Sequence, residues 1–250
     1  QFALGGNTSA YASSTDGGFG VAWTQPVSSR SNPRFTLSTN YVSDNAASST
    51  GGLLTDTNSK WLSQLTYGNA KWQFAYAYAY HNCPWSTATT RNGGPCQAWA
   101  SVYATDAGND TAIEGEQAHS LRAHWKPSDN GAIPQVQLGY NIRKLMGQQT
   151  VGNTVETQSW MAGFMWPEAI GGGRIGIAVG NRERATGIKT AGDPGAVGPD
   201  NADGFTWEAY YDYKLNDHTT ITPTIFGGSG VYDGSDDDIF GALVQTVFKF

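Results

Sequence analysis

Hydrophobic and polar residues alternate with a period of two along most of the chain. Over residues 71–80 the rings Trp72, Phe74, Tyr76, Tyr78 and Tyr80 alternate with Lys71, Gln73, Ala75, Ala77 and Ala79. Successive side chains of an extended strand point to opposite faces, so the five rings share one face. The pattern returns in other segments. Phe35, Leu37 and Tyr41 oppose Arg34, Ser38 and Asn40. Val136, Leu138, Tyr140 and Ile142 oppose Gln137, Gly139, Asn141 and Arg143. Phe205, Trp207, Tyr211 and Tyr213 oppose Thr206, Glu208, Asp212 and Lys214. About twelve strands are predicted, near 2–12, 18–26, 34–43, 60–68, 71–80, 117–127, 135–146, 157–168, 173–185, 205–214, 219–228 and 238–250. No segment has a competing helical period.

The connectors add a second signal. Tight turns at 68–70, 170–173 and 215–218 alternate with long polar loops at 44–59, 81–118, 186–204 and 227–237. A transmembrane up-and-down β-barrel has this asymmetry, with short turns on one side and long loops on the other. An even strand count brings both termini to the short-turn side. Rings recur near strand ends: Trp61, Tyr67, Trp72, Tyr80, Trp125, Trp166 and Tyr213. Amphipathic rings gain at the headgroup level, and barrels carry such girdles at both interfaces. In the last segment Phe240, Ala242, Val244, Phe248 and Phe250 share a face. Ending on an aromatic residue, it resembles the terminal strand of bacterial outer-membrane proteins.

Composition narrows the classes. A chain of 250 residues with 14% charged residues and 32 glycines speaks against long helices, coiled coils and helical repeats. The net charge of -6 speaks against a sequence-independent nucleic-acid binder. No run of eighteen apolar residues predicts a membrane helix, but barrels escape that test. The chain shows no signal peptide and is expected to be a processed or trimmed one. Cys83 and Cys96 bracket a polar, turn-rich stretch. In an oxidising compartment a disulfide between them is expected, contributing about 3 kcal/mol.

The second half resembles the cyanobacterial outer-membrane porins, described as iron-uptake or OprB-like carbohydrate porins. The residues carrying the likeness are FTWEAYYDYKLNDHTTITPTI at 205–225 and DDDIFGALVQTVFKF at 236–250. Residues 159–164 and 175–180 look like the family's preceding hairpin, and the likeness thins out before about Asn40. The resemblance implies a water-filled channel for passive diffusion of small hydrophilic solutes or inorganic ions, iron among them. It implies a homotrimer in the outer membrane, with no catalytic residues and no cofactor. The family's N-terminal SLH domain and coiled coil are absent from this sequence. Its barrels are expected to have sixteen strands. The chain is therefore read as a single all-β, transmembrane antiparallel up-and-down β-barrel domain over 1–250, forming part of a sixteen-stranded barrel or closing with twelve.

If the aromatic faces meet lipid, the opposite faces line the lumen. Counting by twos puts Arg122, His124 and Lys126 there, with Arg143 on the next strand. Arg174, Arg182 and Arg184 follow on another, and Glu208, Asp212 and Lys214 on a neighbour. Rings of lumen charge tune ion selectivity. The basic wall favours anions, and the carboxylates add a transverse field. Loop 81–118 carries an apolar stretch at 98–103 and is expected to fold inward as a constriction loop or to cap a neighbouring subunit. Carboxylates gather in the loops: Asp106, Asp110, Glu114 and Glu116; Asp193, Asp200 and Asp203; Asp233 and residues 236–238. They concentrate cations at a mouth. No loop has EF-hand spacing, and no metal site is expected.

Other functional classes fit the sequence less well. An outer-membrane hydrolase would need a Ser–His pair. His119 and Ser120 are adjacent, so on a strand they point apart. No G-x-S-x-G elbow, H-E-x-x-H or phosphate loop is present. A soluble β-sandwich or lectin-like module accounts for the tryptophans but not for the loop asymmetry. Long loops also suit an adhesin or phage-attachment role.

Overall fold

A computed structural model describes residues 17–29, 31–43, 59–82, 113–128, 132–147, 154–190, 193–197, 204–230 and 238–249. Twelve strands follow in chain order: β1 (Gly17–Thr24), β2 (Arg34–Ser43), β3 (Ser59–Gly68), β4 (Trp72–Asn82), β5 (Ile113–Trp125), β6 (Gln135–Gly147), β7 (Thr154–Trp166), β8 (Arg174–Thr190), β9 (Asp193–Val197), β10 (Phe205–Asn216), β11 (Thr219–Ser229) and β12 (Ile239–Phe248). The only helical element among the described residues is a 3-10 turn at Ile170–Gly172.

The strands form one antiparallel sheet in the order β1-β2-β3-β4-β5-β6-β7-β8-β10-β11-β12, with β9 attached to β8. The fold is thus all-β and up-and-down. Strands β1 and β12 are its edges, and the sheet is open among the described residues. Eleven of the twelve expected segments are strands; the segment at 2–12 lies outside the described residues. Two strands, β5 and β8, reach several residues into expected loops. β5 begins at Ile113, and β8 runs on to Thr190 and pairs with β9.

Register joins the apolar positions into one continuous face. A single cross-strand row runs Phe35, Tyr67, Phe74, Ala123, Leu138, Ala162, Val179, Trp207, Gly227, Phe240 from β2 to β12. The adjacent row, Thr36, Thr66, Ala75, Arg122, Gly139, Met161, Gly180, Thr206, Gly228, lies on the other face. A slip of one residue would exchange the faces, so this agreement over ten strands specifies the pairing.

The turns that set the register are locally encoded. Asn69 Oδ1 accepts from the backbone N–H of Lys71 at 2.9 Å and of Trp72 at 3.1 Å, an Asx turn between β3 and β4. Gly171 and Gly172 take φ of 67° and 73° between β7 and β8, a region that disfavours side chains. The Tyr211 hydroxyl donates to Ile170 O at 2.5 Å and holds that turn against β10.

Burial is inverted relative to a soluble sheet. On the apolar face Phe74 is 60% exposed, Leu121 55% and Val244 68%. On the polar face Ser120 is 2% exposed, Ala77 3%, Lys60 4% and Arg143 7%. No second sheet or α-helix covers the apolar face among the described residues.

Candidate pore-lining face

The apolar face is graded from end to end. At the short-turn end Phe35 stacks on Tyr67 with centroids 4.4 Å apart, Tyr67 meets Trp72 edge-on at 5.5 Å, and Trp72 lies 5.8 Å from Phe74. Tyr211 and Tyr213 pair at 6.2 Å on β10 near the same end. Toward the long-loop end Phe19, Tyr41 and Trp61 form a second chain, at 5.6 and 6.0 Å. Trp207 and Phe240 meet there at 6.2 Å. Between the two ring systems lie mainly aliphatic positions, including Leu37, Leu65, Leu121, Leu138 and Ile177. Polar residues return on this face above the band, at Gln117, Lys144 and Glu156.

The polar face carries most of the strand charges. Among the described side chains it holds Arg34, Lys60, Arg122, Arg143, Arg174 and Lys214, against the carboxylates Glu208 and Asp212. The distribution is uneven. Lys60, Arg122, His124 and Arg143 stand on β3, β5 and β6, while both carboxylates stand on β10. The row beside the cations is floored by small residues, Ala75, Ala77, Ala79 and Ala118, all buried. Arg174 donates through Nε to Asp212 Oδ2 at 2.7 Å and also through Nη2. Thr222 Oγ1 donates to Asp212 Oδ1 at 2.8 Å. This three-strand link ties β8, β10 and β11 on the polar face, and both oxygens of Asp212 are engaged.

Comparison with known proteins finds no family model that matches the chain and no matching curated protein.

Of the expected lining residues, Arg122, His124, Arg143, Glu208 and Asp212 stand at polar-face positions. Lys126 does not: β5 ends at Trp125, and Lys126 sits beyond it with its N–H donating to Lys71 O at 2.6 Å. It is exposed at the short-turn rim. Arg182 and Arg184 lie in β8, and their side chains fall outside the described residues. The ladder shifts there, with Trp160 opposite Asn181 but Gln158 opposite Arg184. Counting by twos from Arg174 is interrupted at this irregularity, because an extra residue resets the alternation. Cys83, Cys96, most of loop 81–118 and the acidic loop residues save Glu114 and Glu116, which lie in β5, and Asp193 and Asp238 also lie outside the described residues.

Two residues of the polar face, Lys60 and Tyr210, are not among those expected from the sequence. Lys60 begins an expected strand and its parity alone would have found it. Tyr210 lies on the polar face with its ring over Gly176, where an added Cβ would collide with the ring. Among the described residues no three His, Cys, Asp or Glu side chains come together as metal ligands.

Proposed function

We propose that this chain forms the wall of a bacterial outer-membrane porin, a passive channel for small hydrophilic solutes or inorganic ions. One observation carries the reading: an exposed apolar face bounded at both ends by ring systems, backed by a covered face of cations, hydroxyls and amides. A soluble sheet would cover its apolar face with a second layer, since burial there is worth about 25 cal/mol per Å². Lipid supplies the cover instead.

The dimensions support this. Phe205 and Tyr213 stand eight residues apart on β10, about 27 Å along the strand and about 21 Å in height at a tilt of about 40°. A barrel's apolar band is about 25 Å tall.

Strand direction constrains how such a barrel would close. Eleven strands lie on the path, so its edges β1 and β12 run the same way. An antiparallel barrel needs an odd number of further strands between them. Either one more strand or five would serve, giving the twelve or sixteen that the sequence reading anticipates. The porin resemblance adds the expectation of a homotrimer and outer-membrane location. The excess of polar-face cations favours anions in transit.

Single-channel recording in a planar bilayer tests the proposal. Stepwise current with a reversal potential on the anion side is expected, in correlated steps of three if the assembly is trimeric. Membrane-inserted protein that passes no current would exclude an open pore.

A further inference from the structure

We propose that the apolar face holds one acyl chain of a membrane phospholipid, with its zwitterionic headgroup at Lys144 and Glu156. The inference rests on the membrane reading above. A depression of about 550 Å³ opens on this face over β3–β7. Ala123, Leu138 and Ala162 occupy one cross-strand row and form its floor. Phe74, Tyr76 and Trp160 rise around them. Methyl groups beside large rings make the hollow, and its lining is almost wholly apolar. On a face that meets lipid the gain is one of packing, since a chain seated in the hollow touches side-chain atoms on several sides.

The border toward the long loops is polar. The Tyr76 hydroxyl is hydrogen-bonded to His119 Nδ1 at 2.8 Å, and the Tyr140 hydroxyl donates to Gln158 Oε1 at 2.8 Å. One row further, Lys144 stands between Gln117 on β5 and Glu156 on β7. Gln158 Nε2 donates to Glu156 Oε1 at 3.2 Å. Lys144 is four residues beyond Tyr140, about 14 Å along the strand. Along β4–β7 the face therefore passes from an apolar hollow, through hydroxyl, imidazole and amide groups, to a cation opposite a carboxylate. A zwitterionic phospholipid presents the complementary order: hydrocarbon, ester groups, then phosphate and ammonium. A cation–carboxylate pair matches that headgroup better than a purely anionic one.

The test is native mass spectrometry of the full chain after reconstitution in nanodiscs of mixed phosphatidylethanolamine and phosphatidylglycerol. One retained phosphatidylethanolamine per chain is expected. Filling the hollow with Ala123→Phe and Ala162→Phe removes room for several methylenes and lowers retention by about tenfold. Glu156→Gln lies outside the hollow and guards against misfolding of the first variant; it removes the carboxylate that meets the ammonium and should erase the preference for phosphatidylethanolamine over phosphatidylglycerol. Inserted protein that retains no lipid, or retains it equally in all variants, overturns the proposal alone. So does loss of an oligomer on filling the hollow, without change in bound lipid, which would name a second copy as occupant. Protein that does not insert at all overturns the membrane reading together with the proposal.

Discussion

Phe35 and Tyr67 stack at 4.4 Å across the β2–β3 pair, on a face that no other described element covers. Their partners Trp72 and Phe74 extend the contact around the short-turn end. A ring cluster without a protein core to fill has a physical use where an apolar phase ends and water begins. Tyr67→Ala removes one stacked pair and one interfacial anchor. It should lower unfolding stability in lipid vesicles by about 1–2 kcal/mol, read from urea titration of vesicle-inserted protein.

Depth along the same face gives a sharper expectation. Leu138 sits in the aliphatic band and is 50% exposed, while Trp61 lies toward the long-loop end. In a membrane, Leu138→Arg should cost about 2–4 kcal/mol and Trp61→Arg less, the charge penalty near the interface being about 0–1 kcal/mol. Equal costs, measured by folding equilibria into vesicles, would contradict the assigned depth.

Removing charges from the polar face should move selectivity. Arg122 and Arg143 stand on adjacent strands β5 and β6. One wall charge acting through water shifts a passing ion by about 0.5–1 kcal/mol. Arg122→Ala and Arg143→Ala should each lower the anion-to-cation permeability ratio about two- to fivefold. Glu208→Gln should raise it. Reversal potentials in a salt gradient give the sign directly.

Tyr210 and Gly176 offer a packing test independent of the membrane. The Tyr210 ring occupies the space an added Cβ at Gly176 would need. Gly176→Ala should destabilise by about 1–3 kcal/mol. In a Tyr210→Ala background the cost should largely disappear, as a double-mutant cycle would show.

Much of this architecture was legible because strand alternation has a fixed period. Trp72, Phe74, Tyr76, Tyr78 and Tyr80 declare β4 and its outer face without reference to any partner. What the period could not show were its interruptions. Along β8, the first of the two register shifts between β7 and β8 lies between Asn181 and Arg184, where no glycine or proline marks it, so the alternation seemed to carry through. Lys126 has the parity of Arg122 and His124 but falls one residue past the strand, where its N–H turns to Lys71. β9 was missed because five residues containing a proline and a glycine, Asp193–Val197, read as loop. Its pairing with β8 is tertiary information. The link from Arg174 through Asp212 to Thr222 was likewise out of reach, since it joins three strands whose register the sequence leaves open.

The most direct test uses two neighbours on β6. Gln137 and Leu138 are both exposed, and they stand on opposite faces. Single cysteines at each position, in a background lacking Cys83 and Cys96, take a nitroxide label, and the protein is inserted into lipid vesicles. Electron paramagnetic resonance then reads accessibility to oxygen, which concentrates in lipid, and to a water-soluble nickel chelate. The label at Gln137 should meet the chelate, and the label at Leu138 should meet oxygen. Equal exposure of both labels to the chelate would place the apolar face in water and contradict the account.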